Sequence, residues 1–150
     1  LKIKQTAPLM PRHYMPNYQH DLVLKLMPCY QWQMLTTSQQ RQFLTNDYQV
    51  ALASNRMGFK LTGQPMTDLP QQLVSEGIAM GSVQLPADGQ PIVLLNDRQS
   101  IGGYPKAGVI SVLDCGQLFQ RQTGTKIRFE MANSEIITQK IRAFIRYFDL

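Results

Sequence analysis

The residues best suited to chemistry lie in the polar segment Asn96–Lys106, which directly follows an apolar run. Asp97 can act as a base or as an orienting carboxylate. Tyr104 can donate a hydrogen bond to an oxygen that gains charge during a reaction. We therefore interpret Asp97 and Tyr104 as candidate catalytic residues, while noting that a long connection between strands would have a similar polar composition.

The same segment supplies five candidate substrate-binding residues: Asn96, Gln99, Gly102, Gly103 and Lys106. The lysine can hold a carboxylate as a point charge. The paired glycines allow the backbone to approach a ligand closely or to adopt a positive φ. We expect Asn96, Asp97, Gln99 and Tyr104 to converge with Gln84 on one concave surface.

Two earlier segments add further candidate substrate-binding residues. Arg56 lies in the turn Asn55–Gly58, and its guanidinium can form a forked pair with a carboxylate or phosphate, although a surface arginine in a turn would look the same. Gln84 stands among apolar neighbours and offers both a donor and an acceptor to a planar amide or ureido group. Gln90 precedes Pro91, which restricts the backbone just before a buried strand.

Short strands must position most of these side chains. Apolar residues alternate or run together in seven segments bounded by Gly, Pro and Asp-Gly turns, a pattern typical of strands. These segments are Leu22–Met27, Tyr48–Ala53, Phe59–Thr62, Ser82–Leu85, Ile92–Leu95, Ala107–Leu113 and Lys126–Met131. The pattern predicts a mainly-β barrel or sandwich with a few helices.

Three helices complete the prediction. Ser38–Leu44 is expected to form a short helix, and a second is expected over residues 115–121 with Asp114 as its N-cap. From about Ser134 onwards, apolar residues recur at helical spacing and predict an amphipathic helix packed on the barrel or sheet. Residues 1–20 contain three prolines and read as a linker or irregular lead-in, so the domain is expected over residues 21–150.

Composition excludes several classes of function. The chain has a net charge of +5, but its fifteen Lys and Arg residues are spread along its length. No aromatic and basic stripe suited to nucleic acid is present, and no apolar run approaches a membrane span. The P-loop, dinucleotide and nucleophile-elbow signatures are absent. The two cysteines and two histidines lack the spacing of metal ligands, so no metal site is predicted. Two cysteines also fit reduced thiols in the cytoplasm better than a disulfide scaffold.

Taken together, the three segments resemble the biotin-dependent carboxyltransferase-like family. This family includes the C subunit of 5-oxoprolinase, the Kip-antagonist proteins and the proteins called allophanate hydrolase subunit 2. The matching motifs occupy Ser54–Gly63, Gly81–Leu95 and Asn96–Lys106, in the family's order. Asn55 and Ser100 stand where Asp and Thr are common, but the Arg, Gln, Asp, Gly-Gly and Tyr-Pro elements are all present.

The resemblance implies a cyclophilin-like β-barrel. It also implies that residues 21–150 are the C-terminal domain of a longer two-domain protein, with the active site between the two domains. On that basis the isolated chain is expected to be inactive.

The resemblance leaves three functions open. The first is participation in an ATP-dependent 5-oxoprolinase, which opens the lactam ring of 5-oxoproline together with the A and B subunits of that enzyme. The second is biotin-dependent carboxyl transfer of the urea carboxylase or allophanate hydrolase type. The third is a regulator that binds a Kip-inhibitor-like protein, an inhibitor of a sensor kinase. No cofactor is expected in this domain: ATP would be used by the complex, and biotin would come only through a partner.

Overall fold

The computed structural model describes residues 15–18, 20–71 and 73–148 of the chain. Its centre is a closed barrel of seven strands: β1 (Leu22–Pro28), β2 (Tyr48–Val50), β3 (Gly58–Thr62), β5 (Ser82–Gln84), β6 (Ile92–Leu94), β8 (Lys106–Ile110) and β9 (Lys126–Met131). Their order around the barrel is β1-β8-β5-β6-β3-β2-β9. Two short strands, β4 (Glu76–Gly77) and β7 (Ile101–Gly102), form a separate antiparallel pair.

The barrel closes where β1 pairs in parallel with β9, with Leu24 opposite Phe129. β1, and β9 up to Glu130, alternate as the sequence predicts: Leu24 is fully buried, whereas its neighbour Lys25 reaches the outer surface and pairs there with Glu130. Met131, predicted on the same face as Phe129, is 43% exposed. The alternation places every second side chain in the core, because successive strand residues point to opposite faces. The mainly-β prediction and the barrel are therefore confirmed.

One end of the core is filled by aromatic side chains from helix α1 (Thr37–Thr45) and a 3-10 helix (Tyr30–Met34). Thr36 and Gln39 form a capping box at the start of α1, which fixes where the helix begins. Phe43 is completely buried and stacks on Phe129, with ring centroids 4.7 Å apart. This cluster ties the helix to the strand that closes the barrel.

Helix α2 (Val112–Phe119) begins three residues earlier than the sequence predicted. Strand β8 ends at Ile110 rather than Leu113, and Ser111 is the N-cap because its hydroxyl accepts a hydrogen bond from the Asp114 amide at 3.1 Å. The predicted N-cap, Asp114, instead lies inside the first turn. Both residue types are good caps, and the extended backbone of Ser111 decides between them.

Helix α3 (Ser134–Phe148) has the amphipathic pattern that was predicted, but little of it is buried. Ile137 is the only residue of α3 that the structure describes as buried, and Ile136 and Ile145 remain 49% and 42% exposed. The predicted amphipathic helix is therefore present, but it contacts the rest of the domain over only part of its apolar face.

The irregular lead-in falls largely outside the described residues, since only residues 15–18 and 20 of it belong to them; these have no helix or strand. No described helix combines the length and apolar character needed to cross a bilayer. Within the described ranges, no three His, Cys, Asp or Glu side chains gather as a metal site would require.

Candidate functional site

The turn that carries Arg56 is held by hydrogen bonds within itself and to the chain beyond β6. The Asn55 side chain accepts from the Met57 amide at 2.8 Å, and the Leu95 amide donates to the Met57 carbonyl at 3.0 Å. The Asp97 amide in turn donates to the Arg56 carbonyl at 3.2 Å. The first and third sequence motifs therefore meet here, because β3 and β6 are neighbours in the barrel.

An ion pair joins these two motifs through their side chains. Nε of Arg56 lies 3.0 Å from Oδ2 of Asp97, and the two side chains are 77% and 45% exposed. Exposed pairs of this kind contribute only about 0–1 kcal/mol to stability. The pair instead orients the guanidinium of Arg56. Because Nε contacts Asp97, the two terminal nitrogens are left to bind another group.

Arg56 and Asn96 line a cavity of about 550 Å³ beside helix α2. The remaining walls are apolar and include Leu95 and Phe119. A guanidinium and a primary amide at the edge of an apolar cavity can bind a small ligand that carries a carboxylate and a planar polar group. This arrangement is the strongest candidate site in the part of the chain that the structure describes.

Tyr104 lies in a different, smaller cavity of about 300 Å³, whose walls include Leu85 and Gly103. Its side chain is 51% exposed. The two cavities share no lining residue. The expectation of one concave surface containing both Asn96 and Tyr104 is therefore wrong for this domain: the polar segment passes from one cavity to the other.

Gln84 and Gln99 meet under the β4–β7 pair. Gln84 is only 1% exposed, its Oε1 lies 3.5 Å from Nε2 of Gln99, and its own Nε2 has no hydrogen-bond partner. This glutamine lies on the outer face of β5, since its neighbour Val83 points into the core. Gln84 is thus covered by the protein itself, with one donor unsatisfied.

The paired glycines are required by packing in this domain. A Cβ at Gly102 would lie 2.8 Å from the Ile78 side chain and 3.1 Å from Nε2 of Gln84, and a Cβ at Gly103 would lie 2.7 Å from the Leu73 carbonyl oxygen. Neither glycine has a positive φ. The close contacts of both glycines in this domain are therefore with the protein's own chain, and their predicted approach to a ligand stays a prediction.

Lys106 is engaged with a neighbouring carboxylate. Its Nζ lies 2.8 Å from Oε1 of Glu76 and its side chain is only 12% exposed. The hydroxyl of Tyr30 donates to the same carboxylate at 2.8 Å, and the Gln31 amide also donates to it at 2.5 Å. Lys106 first, and then Tyr30, hold the pKa of Glu76 below its ordinary value.

Sequence reasoning missed Glu76, Tyr30 and Gln31, which lie outside the three motifs. Gln31 is 2% exposed, and its Oε1 accepts from the Lys106 amide at 2.7 Å. The network links the 3-10 helix to β4 and β8. The sequence offered only one signal for this network: Glu76 is an acidic residue in a stretch without a clear helical or strand period.

Gln90 holds two parts of the barrel together. Its side-chain oxygen accepts from the Gly63 amide at 2.9 Å, and its Nε2 donates to the Gly63 carbonyl at 3.0 Å. This paired geometry imitates a strand ladder and uses both ends of the amide. Gln90 was predicted to bind substrate, and the structure gives it this structural contact instead of bringing it to the Arg56 cavity.

The barrel and the polar segment beside it define a carboxyltransferase-type domain. Residues 2–131 match the family described as carboxyltransferase domain, subdomain A and B, and the chain belongs to that family. The closed barrel is shared with the urea carboxylase of Kluyveromyces lactis, with a TM-score of 0.74 and 19% identity over 81% of this chain and 12% of that one.

Two curated relatives are similar in sequence. The chain is 36% identical over 109 residues to the C subunit of 5-oxoprolinase from Haemophilus influenzae, covering 72% of this chain and 35% of that protein. It is 35% identical over 129 residues to the C subunit of 5-oxoprolinase from Escherichia coli, covering 84% of this chain and 41% of that protein. The chain thus spans between a third and just over two fifths of the length of these relatives.

Proposed function

We propose that this domain belongs to the C subunit of an ATP-dependent 5-oxoprolinase. The observation that carries the proposal is the 35–36% identity to two proteins named as the C subunit of 5-oxoprolinase, over 72–84% of the chain. The reaction adds water across the lactam amide of 5-oxoproline, giving an amine and a second carboxylate, and the complex couples this step to ATP hydrolysis. The domain works in the cytoplasm, with the A and B subunits of the enzyme as its partners.

The Arg56 cavity supports this substrate class. 5-Oxoproline carries one carboxylate and one planar amide, and the cavity offers a guanidinium and a primary amide at its edge. In this proposal the terminal nitrogens of Arg56 bind the carboxylate, and Asn96 hydrogen-bonds the lactam. Asp97, held by Arg56 at 3.0 Å, moves a proton at the amide nitrogen.

The site is completed by a second domain of the same protein. Arg56 is 77% exposed, so the cavity as it stands excludes little water from a bound lactam. A further domain over the cavity would shield it and would bring the Tyr104 cavity into the same site. The proposed roles of Tyr104, Gln84, Gln99 and Lys106 in substrate binding or catalysis depend on that second domain.

The test is turnover by the complete complex. The full-length protein is combined with the purified A and B subunits, and glutamate and ADP formation are measured with 5-oxoproline and ATP. Formation of both products only when all three proteins are present supports the proposal, and this domain alone should form neither. A complete complex without lactamase activity that transfers carboxylate from carboxybiotin would refute it in favour of the carboxyltransferase alternative. Binding to a Kip-inhibitor-like protein without any turnover would instead favour the regulator.

A further inference from the structure

A buried amide group under the β4–β7 pair lacks a hydrogen bond. Gln84 is 1% exposed, and its Nε2 has no hydrogen-bond partner among the described residues. Burying such a donor without an acceptor is unfavourable, because its hydrogen bonds to water are lost without replacement. The observed arrangement of Gln84 therefore carries a penalty that a different arrangement of its cover would remove.

Gln31 shows that a buried glutamine can be fully partnered in the same part of the domain. It is 2% exposed, its Nε2 donates to Glu76 at 2.5 Å, and its Oε1 accepts from the Lys106 amide at 2.7 Å. Gln84 differs because Gly102 of β7 lies against its amide: a Cβ at Gly102 would be 3.1 Å from Nε2 of Gln84. Glycine has no side chain to offer an acceptor, so the pair covers the amide without satisfying it.

The β4–β7 pair is small and stands outside the main core. Each of its strands has two residues, and a two-stranded pair on its own is at best marginally stable in water. Ile101 of β7 is 64% exposed, and Ile78, which follows β4, is buried but does not belong to the core cluster of the barrel. The pair can therefore move without disturbing the apolar core.

Polar contacts hold the pair in place. Glu76 of β4 pairs with Lys106 of β8 at 2.8 Å and accepts from the Tyr30 hydroxyl at 2.8 Å. Nζ of Lys106 also donates to the Gly77 carbonyl at 3.3 Å. The side chain of Glu76 is 29% exposed, so water reaches this network. Because water can replace polar contacts when they separate, the network can close the pair reversibly.

Gln84 lies between the two cavities of the candidate site. Met80, two residues before β5, lines the Arg56 cavity, and Leu85, directly after β5, lines the Tyr104 cavity. β5 therefore runs from one cavity towards the other, with Gln84 at its end and the β4–β7 pair over this glutamine. Movement of the pair away from the barrel would uncover a hydrogen-bond donor between the two cavities.

We propose that the β4–β7 pair is a flap, closed by the contacts of Glu76, and that its opening exposes Gln84 to bind a carbonyl oxygen of the substrate. Nε2 of Gln84 donates to that oxygen, which supplies the acceptor that the closed flap does not. This inference rests on the proposed function, since the lactam of 5-oxoproline carries such an oxygen. The closed domain is then a form in which this binding residue is hidden.

The experiment measures how readily position 84 becomes accessible in the full-length protein. Gln84→Cys is treated with iodoacetamide, and the modified peptide is quantified by mass spectrometry. Val83→Cys is the matched control, because Val83 is completely buried in the core on the same strand and reacts only when the barrel opens. Local opening needs less free energy than global unfolding, so position 84 should react at least about tenfold faster than position 83. Equal rates would mean that only unfolding uncovers Gln84, which overturns the flap.

The closing contacts are tested in the same assay. Glu76→Gln, combined with each cysteine variant, removes the charge that binds Lys106 and should speed the reaction at position 84 more than at position 83. Glu130→Gln removes a carboxylate from the exposed pair with Lys25 and is the control, which should leave both rates unchanged. An equal change at the two positions in Glu76→Gln, or no change, would overturn the closing role of Glu76.

Two methionine variants separate the binding role of Gln84 from folding. In the complete complex, Gln84→Met should raise the KM for 5-oxoproline about tenfold, because a hydrogen bond to the substrate is lost. The Tm of the full-length protein should not fall in this variant, because methionine has a similar length and removes an unpaired buried donor. Gln31→Met should lower the Tm, since both ends of the Gln31 amide are partnered. A lower Tm with an unchanged KM in Gln84→Met would assign Gln84 to packing alone and overturn its binding role.

The flap and the proposed function can fail separately. Alkylation is measured without turnover, so local opening at position 84 in a complex that does not open 5-oxoproline removes the proposed function alone. An active complex in which positions 83 and 84 react equally removes the flap alone.

Discussion

At the scale of single residues, the two candidate catalytic residues of the polar segment can be tested by their kinetics. In the complete complex, Asp97→Asn and Tyr104→Phe should each lower kcat, on the order of a hundredfold for a lost proton-transfer or oxyanion-binding group. Arg56→Met should mainly raise KM, because it binds a carboxylate that substrate and transition state share. Steady-state kinetics after confirming assembly gives both parameters. A wild-type kcat in Tyr104→Phe would assign the smaller cavity to a different role, and one in Asp97→Asn would refute the catalytic assignment.

Glu76 provides a prediction about pH. Its folded pKa is lowered mainly by Lys106, so its ionised form stabilises the fold. That stabilisation is complete above the pKa of glutamate in the unfolded chain, about 4.3, and is lost as the pH falls through the lower folded pKa. Glu76→Gln should therefore lower the Tm at pH 7 and make little difference near pH 2.

The exposed pair between Lys25 and Glu130 is the control for that experiment. Glu130 is 56% exposed, so Glu130→Gln should change the Tm little at either pH, since exposed ion pairs contribute little. An equal fall in Tm for both variants at pH 7 would show that the contacts of Glu76 stabilise the fold no more than a surface ion pair does.

At the scale of elements, a glycine within β4 and the glycine directly after β7 can be compared. A Cβ at Gly103 would lie 2.7 Å from the Leu73 carbonyl oxygen, whereas a Cβ at Gly77 would meet nothing within 4 Å. Gly103→Ala should therefore destabilise the domain by about 1–3 kcal/mol. Gly77→Ala should be neutral or stabilise it slightly, by reducing the freedom of the unfolded chain. Urea denaturation of both variants checks this, and equal midpoints would contradict the packing role of Gly103.

The same elements show how far the sequence alone could reach. β1 and β9 were predicted correctly because alternation is a local signal, and α1 was recognised by its Thr or Ser cap and its Gln-rich exposed face. The parallel pairing of Leu24 with Phe129 could not be predicted, since it depends on barrel closure across more than a hundred residues. Strands of two residues, β4 and β7, are too short to show a period, so Glu76 and its contact with Lys106 remained hidden. The start of α2 was misplaced because Ser111 and Asp114 are equally good caps.

The candidate site was predicted only in part, because its contacts also depend on how distant strands pair. The sequence motifs identified Arg56 and Asn96 as candidates. The pairing of β3 with β6 brings both residues to one cavity. No local sequence signal indicated that the segment Asn96–Lys106 also lines a second cavity. Nor did the sequence show that the side chains of Gln90 and Lys106 contact neighbouring parts of the protein. Sequence motifs identify residues that belong together in a family, but a contact depends on the strands between them.

At the scale of the whole molecule, the barrel with α1 and α2 forms the folding unit, and α3 is an addition to it. The core cluster contains side chains from the barrel, α1 and α2 but none from α3. The chain has one tryptophan, and Trp32 is buried against Phe43 with ring centroids 5.6 Å apart, so its fluorescence reports on this core.

A chain that ends at Asn133 should therefore still unfold in one cooperative transition. Deleting α3 removes one buried apolar side chain, Ile137, among the residues that the structure describes, and burying such a side chain is worth about 1.5–3 kcal/mol. Leu26→Ala in the full chain removes part of a completely buried leucine and should lower the free energy of unfolding by about 2–5 kcal/mol. Urea denaturation followed by Trp32 fluorescence should thus rank the loss of α3 and of the residues after it as no worse than one core substitution. A truncated chain that loses its cooperative transition would instead make α3 part of the folding unit.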